Sequence, residues 1–149
     1  MSTPSDIALL INPRSGRGLG RRVAESIRAA LDDGSREIVR LDIDSLDELS
    51  NLRADALRAL VVVGGDGTVH AALPFLSASG LPVYHAPLGT ENLFAREFGM
   101  SRDPARVREA VDSGDVRTVD LAECDGTPCA IMCGLGFDAS VIESLHHVR

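Results

Sequence analysis

Short unbroken apolar runs alternate along this chain with stretches in which apolar residues recur every three or four positions. The first pattern marks strands buried on both faces, the second amphipathic helices. Residues 6–12 form such a run, and it enters Pro13-Arg14-Ser15-Gly16-Arg17-Gly18, a string that regular elements do not tolerate. Leu19, Val23, Ile27, Ala30 and Leu31 then share one helical face, with Gly34 as the stop. Residues 37–43 alternate as a second strand, and Ser45 with Glu48 reads as a capping box for a second helix through Leu49 and Leu52. The clearest strand is 59–63, closed by Gly64-Gly65. A helix follows from Thr68 to about Leu76, with Pro74 expected at a bend or at the beginning of a new turn. Residues 82–86 make a fourth strand ended by Pro87-Leu88-Gly89-Thr90, and helices follow over 91–98, stopped by Gly99, and 104–113.

Strand–helix alternation over the first hundred or so residues predicts an α/β fold, an open and mainly parallel sheet with flanking helices. The rhythm changes near residue 115. Residues 116–123 and 127–133 read as strands joined at Asp125-Gly126, a hairpin signal. The expected division is therefore 1–115 for the α/β domain and 116–149 for the start of a β-rich unit.

Composition narrows the chemistry. The 149 residues suit one domain, and 44% apolar with 25% charged is ordinary for a globular protein. No apolar stretch approaches the roughly 20 residues that span a bilayer, and residues 1–6 lack a signal pattern, so a cytoplasmic setting is expected. A net charge of -7 argues against nucleic acid as a partner. All 15 basic residues are Arg, which removes lysine chemistry and leaves any cationic phosphate contact to guanidinium groups. Cys124, Cys129 and Cys133 lack a CxxC spacing and read as buried strand residues rather than metal ligands.

Three turns follow three predicted strands: Asn12-Pro13-Arg14-Ser15-Gly16, Gly64-Gly65-Asp66-Gly67-Thr68 and Pro87-Leu88-Gly89-Thr90-Glu91-Asn92. In an open parallel sheet such turns share the edge where ligands bind. Glycine lets backbone amides approach an anion, and the N-terminus of the next helix adds partial positive charge. Asp66 is the exception in a loop suited to anions. It either caps the helix after it or positions a divalent cation on bound phosphates.

Taken in order, Asn12-Pro13-x-Ser15-Gly16, Gly64-Gly65-Asp66-Gly67-Thr68 and Pro87-Leu88-Gly89-Thr90-x-Asn92-x-x-Ala95-Arg96 resemble the catalytic domain of the diacylglycerol kinase family over about residues 6 to 140. The resemblance implies an NAD kinase/diacylglycerol kinase-like nucleotide-binding domain that transfers phosphate from ATP to a lipid hydroxyl. By the same resemblance Asn12, Ser15 and Gly16 would contact the nucleotide. Gly64, Gly65, Asp66, Gly67 and Thr68 would hold its phosphates and Mg2+, with Asp66 as metal ligand and catalytic residue. Gly89, Thr90 and Asn92 would line the facing wall. Arg14 and Arg17 are either further phosphate contacts or solvated surface residues.

Leu93 stands where members acting on diacylglycerol often carry an acid, Glu91 where a small residue is usual, and His70 where asparagine is common. The string Gly134-Leu135-Gly136-Phe137-Asp138-Ala139 resembles the family's entry into a second, β-sandwich domain that would supply the general base. Asp138 itself reads as a turn or cap residue. The chain would then be the ATP-binding half, inactive alone, with its lipid at a membrane surface and self-association through the uncovered tail. An NAD kinase, a Rossmann dehydrogenase built on Gly16-x-Gly18-x-Gly20 with Asp42 or Asp44, and a non-catalytic nucleotide-binding module are the competing readings.

Overall fold

The computed structural model describes residues 6–134 and 136–146. The polar start and Leu135, inside the glycine-rich string, lie outside the described residues. Strand β1 (Asp6–Ile11) leads through a single turn, α1 (Ser15–Gly18), into α2 (Gly20–Leu31), and β2 (Ile38–Asp42) follows. A 3-10 segment (Ile43–Asn51), β3 (Leu57–Gly64), α3 (Asp66–Ser79) and β4 (Val83–Pro87) come next, then α4 (Leu93–Glu97) and α5 (Pro104–Ser113). A hairpin of β5 (Ala122–Cys124) and β6 (Thr127–Cys129) precedes α6 (Phe137–His146).

The main sheet has the order β2-β1-β3-β4, all pairs parallel. Alternate side chains leave its two faces in opposite directions. Ala8, Leu10, Leu60 and Val62 face α3, α4 and the 3-10 segment, with Val69, Ala72, Leu73, Leu76 and Phe94 completing that core. Ile7, Leu9, Ile11, Val61 and Val63 face the other way and meet Ala24, Ile27 and Leu31 of α2 and Val107 and Val111 of α5. The sheet is buried on both sides, which is why its strands read as continuous apolar runs.

The chain leaves β1 toward β2 on one flank and β3 toward β4 on the other. The connections that follow adjacent β1 and β3 therefore part at the carboxyl edge, the topological switch point where an open parallel sheet has its crevice.

The capping box at Ser45 and Glu48 does not start an α-helix; the segment is 3-10, interrupted at Ser45 (φ -118°, ψ 39°). Its apolar residues explain this, because Ile43, Leu46, Leu49 and Leu52 recur every three positions and all pack on one core. Pro74 lies inside its helix, which does not stop near Leu76 but runs on to Ser79 and ends at left-handed Gly80 (φ 67°). The missing hydrogen bond is offset by burial of Leu73 and Leu76 on either side.

Residues 116–121 are not a strand. Val116, Val119 and Leu121 are exposed, and among the described residues no strand pairs with them. The hairpin turn does form at Asp125-Gly126, both with positive φ as a tight two-residue turn requires. Cys124 and Cys133 are exposed and Cys129 half-buried, so these cysteines are not core residues. Residues 137–146 form a helix, with Asp138 exposed in its first turn, where negative charge suits the amide end.

A charged cluster ties the outer layer together. The Arg36 guanidinium lies 2.7 Å from Asp33 and 2.8 Å from Asp112 at the end of α5. The amide and hydroxyl of Ser35, then Arg36, hold the Asp33 carboxyl well below the usual range; Arg36 does the same to Asp112. Carboxyls with depressed folded values contribute fully above the unfolded value of about 3.9, and the contribution drains away as pH falls through the folded values. Thermal unfolding followed from about pH 6 to pH 3 should show stability falling with acid below about pH 4. Arg36→Ala should be less stable at neutral pH and show a flatter acid limb. An unchanged acid limb would remove the cluster from this account.

Candidate functional site

The three glycine-bearing turns meet at the β1–β3 crevice. Asn12 follows β1 directly, and its amide N–H donates to Val63 O at 2.9 Å, carrying strand pairing to the lip of the crevice. Its side-chain Oδ1 accepts from Arg14 N–H at 3.1 Å, and its Nδ2 reaches Thr68 Oγ1 at 3.4 Å, linking first turn to second. Ser15 N–H donates back to Asn12 O at 3.1 Å. Gly16 is left-handed (φ 62°), and a Cβ there would sit 3.3 Å from the Leu88 side chain, so the first turn also touches the third.

The second and third turns are in backbone contact. A Cβ on Gly65 would lie 3.1 Å from Gly89 Cα, and one on Gly89 would lie 2.9 Å from Gly65 Cα. A Cβ on Gly64 would collide with Thr68 Oγ1. Glycine is needed at these positions for close approach rather than for an unusual φ. Asn92 closes the third turn in left-handed conformation (φ 51°). Its Oδ1 accepts from Gly89 N–H and its Nδ2 donates to Gly89 O, each at 2.7 Å. Thr90 and Gly67 lie exposed on the same rim. All ten positions read from the sequence as nucleotide contacts, together with Asp66, are thus gathered around one crevice edge.

Asp66 is used in a way the sequence did not disclose. Its two carboxylate oxygens accept from the amides of Leu93 (2.9 Å) and Phe94 (3.1 Å), so it caps α4 of the third turn and not its own helix. Each oxygen keeps a second lone pair for another partner. Cation binding and capping are therefore compatible. Arg14 is committed to a forked pair with Asp44, both contacts at 2.8 Å, which draws it toward the 3-10 segment. Arg17 stands exposed between Gly16 and Gly18 with φ 59° and makes no ion pair among the described residues.

His85 was missed. It occupies an otherwise apolar strand, is completely buried, and its Nε2 lies 2.9 Å from Gly64 O. An imidazole nitrogen facing a carbonyl oxygen must carry the proton, so Nε2–H donates and Nδ1 is bare. Nδ1 is buried without a partner among the described residues. Burial pushes the imidazole pKa down, which keeps the ring neutral. A histidine inside a run such as Val83-Tyr84-His85-Ala86 was the available signal.

Beside Asp66 lies a cavity of about 350 Å3 between α3, the third turn and the segment after β6. Leu73, Leu93, Ile131 and Met132 give it apolar walls, and His70 and Glu91 stand with Asp66 among its polar lining. No group of three or more metal-ligating side chains is present among the described residues, so a cation here would rest on Asp66 and on oxygens of its own ligand.

Comparison with known proteins gives the family and the fold. Residues 6–124 match the diacylglycerol kinase catalytic domain. The chain belongs to that family. It is 30% identical to a diacylglycerol kinase of Mycobacterium tuberculosis over 96% of this chain and 50% of that protein. It is 26% identical to an NAD kinase of Brucella melitensis over 66% of this chain and 38% of that protein. Among solved structures it resembles a diacylglycerol kinase from Bacillus anthracis, with TM-score 0.63 and 25% identity, covering 86% of this chain and 46% of that one. The chain spans half or less of the length of these relatives.

Within the diacylglycerol kinase family, the third-turn departure at Leu93 now has a structural reading. Leu93 gives Asp66 its backbone amide, which any residue but proline supplies, and its side chain lines the cavity. The change alters the cavity wall and leaves the cap intact.

Removing both acceptors in Asp66→Ala should cost about 1–3 kcal/mol by stranding the Leu93 and Phe94 amides. Urea denaturation in the absence of nucleotide measures this. Wild-type stability in that variant would show the cap to be idle.

Proposed function

We propose that this chain is the nucleotide-binding half of a lipid kinase, holding ATP with Mg2+ in the β1–β3 crevice and presenting its terminal phosphate to a lipid hydroxyl. The convergence of three glycine turns on one parallel-sheet crevice is the observation that carries this reading. The residues fit the group. Gly67 opens the first turn of α3 with clear space around it, so the amide end of the helix is accessible to an anion. The lack of a Cβ lets the Gly65 and Gly89 backbones touch and lets Thr68 pack against Gly64. Asn12, Ser15, Gly16, Thr68, Thr90 and Asn92 supply hydroxyls, amides and the rim, and Asp66 offers the free lone pairs for the cation.

When bound, ATP supplies the phosphoryl group and the cation neutralises part of its charge. The chain's own part is positioning. Asp66 locks the third turn against the second, the helix end orients the phosphates, and Arg17 stands where a guanidinium adds charge. The apolar cavity beside Asp66 supports a lipid as acceptor, its hydroxyl directed toward the nucleotide. Residues 1–115 are then the nucleotide domain, and 116–149 begin a unit that contributes the base. A cytoplasmic protein meeting its lipid peripherally at a membrane fits a chain in which no helix among the described residues is long and apolar enough to cross one.

Titration of ATP with and without Mg2+, followed by thermal shift and calorimetry, tests the reading. ATP–Mg2+ should raise the melting temperature, NAD should not, and Gly65→Val should weaken ATP binding at least about tenfold by forcing the second turn off Gly89 of the third. Stabilisation by NAD alone would overturn it. Lipid phosphorylation by the 149-residue chain should stay near background.

Val116, Met132 and Phe137 expose 62%, 73% and 82% of their surface, an uncovered apolar set that supports association with a second copy. Sedimentation should show mass rising with concentration, reduced in Phe137→Ser. A strictly monomeric wild-type chain at high concentration would refute that association.

A further inference from the structure

We propose that His85 is a positioning residue for the nucleotide site, aiming the Gly65 amide into the crevice through its hydrogen bond to Gly64 O; the inference rests on the ATP-site reading above. Two donors converge on that carbonyl from the β4 side, Leu88 N–H at 2.7 Å and His85 Nε2–H at 2.9 Å. Together they point the Gly64 carbonyl at β4. The peptide that follows is trans, so its N–H points opposite to its C=O. The Gly65 N–H is therefore turned away from β4 and toward the β1 side, where Asn12 borders the crevice. It has no acceptor among the described residues, whereas the neighbouring Thr68 N–H is taken by Gly65 O at 2.9 Å. An amide held in place, facing a crevice and left unpaired, is a donor kept for a ligand oxygen.

Histidine is a poor choice for packing alone. The ring is wholly buried against Phe94, with centroids 6.1 Å apart, and carries Nδ1 with no partner among the described residues. An aliphatic side chain would fill the same space without that defect. What it could not provide is a second donor to Gly64 O. With only Leu88 N–H left, the glycine–glycine peptide would be free to rock, because neither residue has a side chain to restrain it. The requirement is thus for an N–H at the Nε2 position, which glutamine also supplies.

The test compares wild type, His85→Leu and His85→Gln by calorimetric titration with ATP–Mg2+ and by melting of each unliganded chain. His85→Leu should bind ATP about five- to tenfold more weakly, the loss expected for one well-placed hydrogen bond. Its unliganded melting temperature should be equal to or above wild type. His85→Gln should bind within about twofold of wild type. A purely structural histidine would instead lower melting temperature and affinity together in both variants, which overturns the proposal. Wild-type affinity in a folded His85→Leu overturns it as well, while the ATP-site reading stands. If His85→Leu does not fold, His85→Gln decides: retained affinity supports positioning, and lost affinity refutes it. Absence of ATP binding by the wild-type chain overturns the site reading and this proposal with it.

Discussion

The carboxylate of Asp66 and the amides of Leu93 and Phe94 join two loops that the chain separates by a helix and a strand. Amide bonds to a carboxylate at a helix N-terminus are stronger than those between neutral groups. They could not form if the loops stood further apart. The backbones of Gly65 and Gly89 must touch first, and they can because neither carries a Cβ. Glycine at both positions and aspartate between them therefore act as one constraint. It fixes the width of the crevice, the direction of α4 and one wall of the cavity beside it.

That constraint needs a rigid floor, and the parallel sheet supplies it. Val61, Val62 and Val63 are completely buried, and opposite faces of β3 serve opposite cores, so the end of β3 has little freedom to shift. With a net charge of -7 over the chain, any positive potential at the crevice is local. The helix N-terminus of α3 and oriented loop amides provide partial positive charge at short range, where overall charge is screened beyond about 10 Å. Arginine plays a double part. Arg36 and Arg14 are engaged by carboxylates and organise the outer layer, leaving exposed Arg17 at the first turn.

Much of the sheet was legible because burial on both faces writes strands as unbroken apolar runs, as in β1 and β3. The three turns were legible for a related reason: glycine beside a hydroxyl or amide residue after a buried strand has few other uses. Longer-range facts were not. The chain shows that Asp66 can cap something, but the helix it caps begins at Leu93, 27 positions on. Ser45 and Glu48 suggested an α-helix, and the three-residue spacing of Ile43, Leu46, Leu49 and Leu52 carried more weight in the fold. Alternation in residues 116–121 announced a face without saying what would cover it. Cys124 and Cys133 read as buried strand residues in the sequence, and both lie at the surface.

The departures from the family pattern divide along the two sides of Asp66. Toward the crevice, Asn12, the Gly64–Thr68 string and Asn92 keep residue types whose side chains or lack of them set the geometry. Toward the cavity, Leu93, Glu91 and His70 differ from what the family commonly carries, and all three line that space. A leucine at 93 contributes the same backbone amide as an acid would, so the crevice is insulated from the exchange. Substitutions can therefore change the cavity side while the crevice side keeps its shape. Aspartate at the junction allows this, since it grips its neighbour through main-chain atoms and is indifferent to the side chain attached to them.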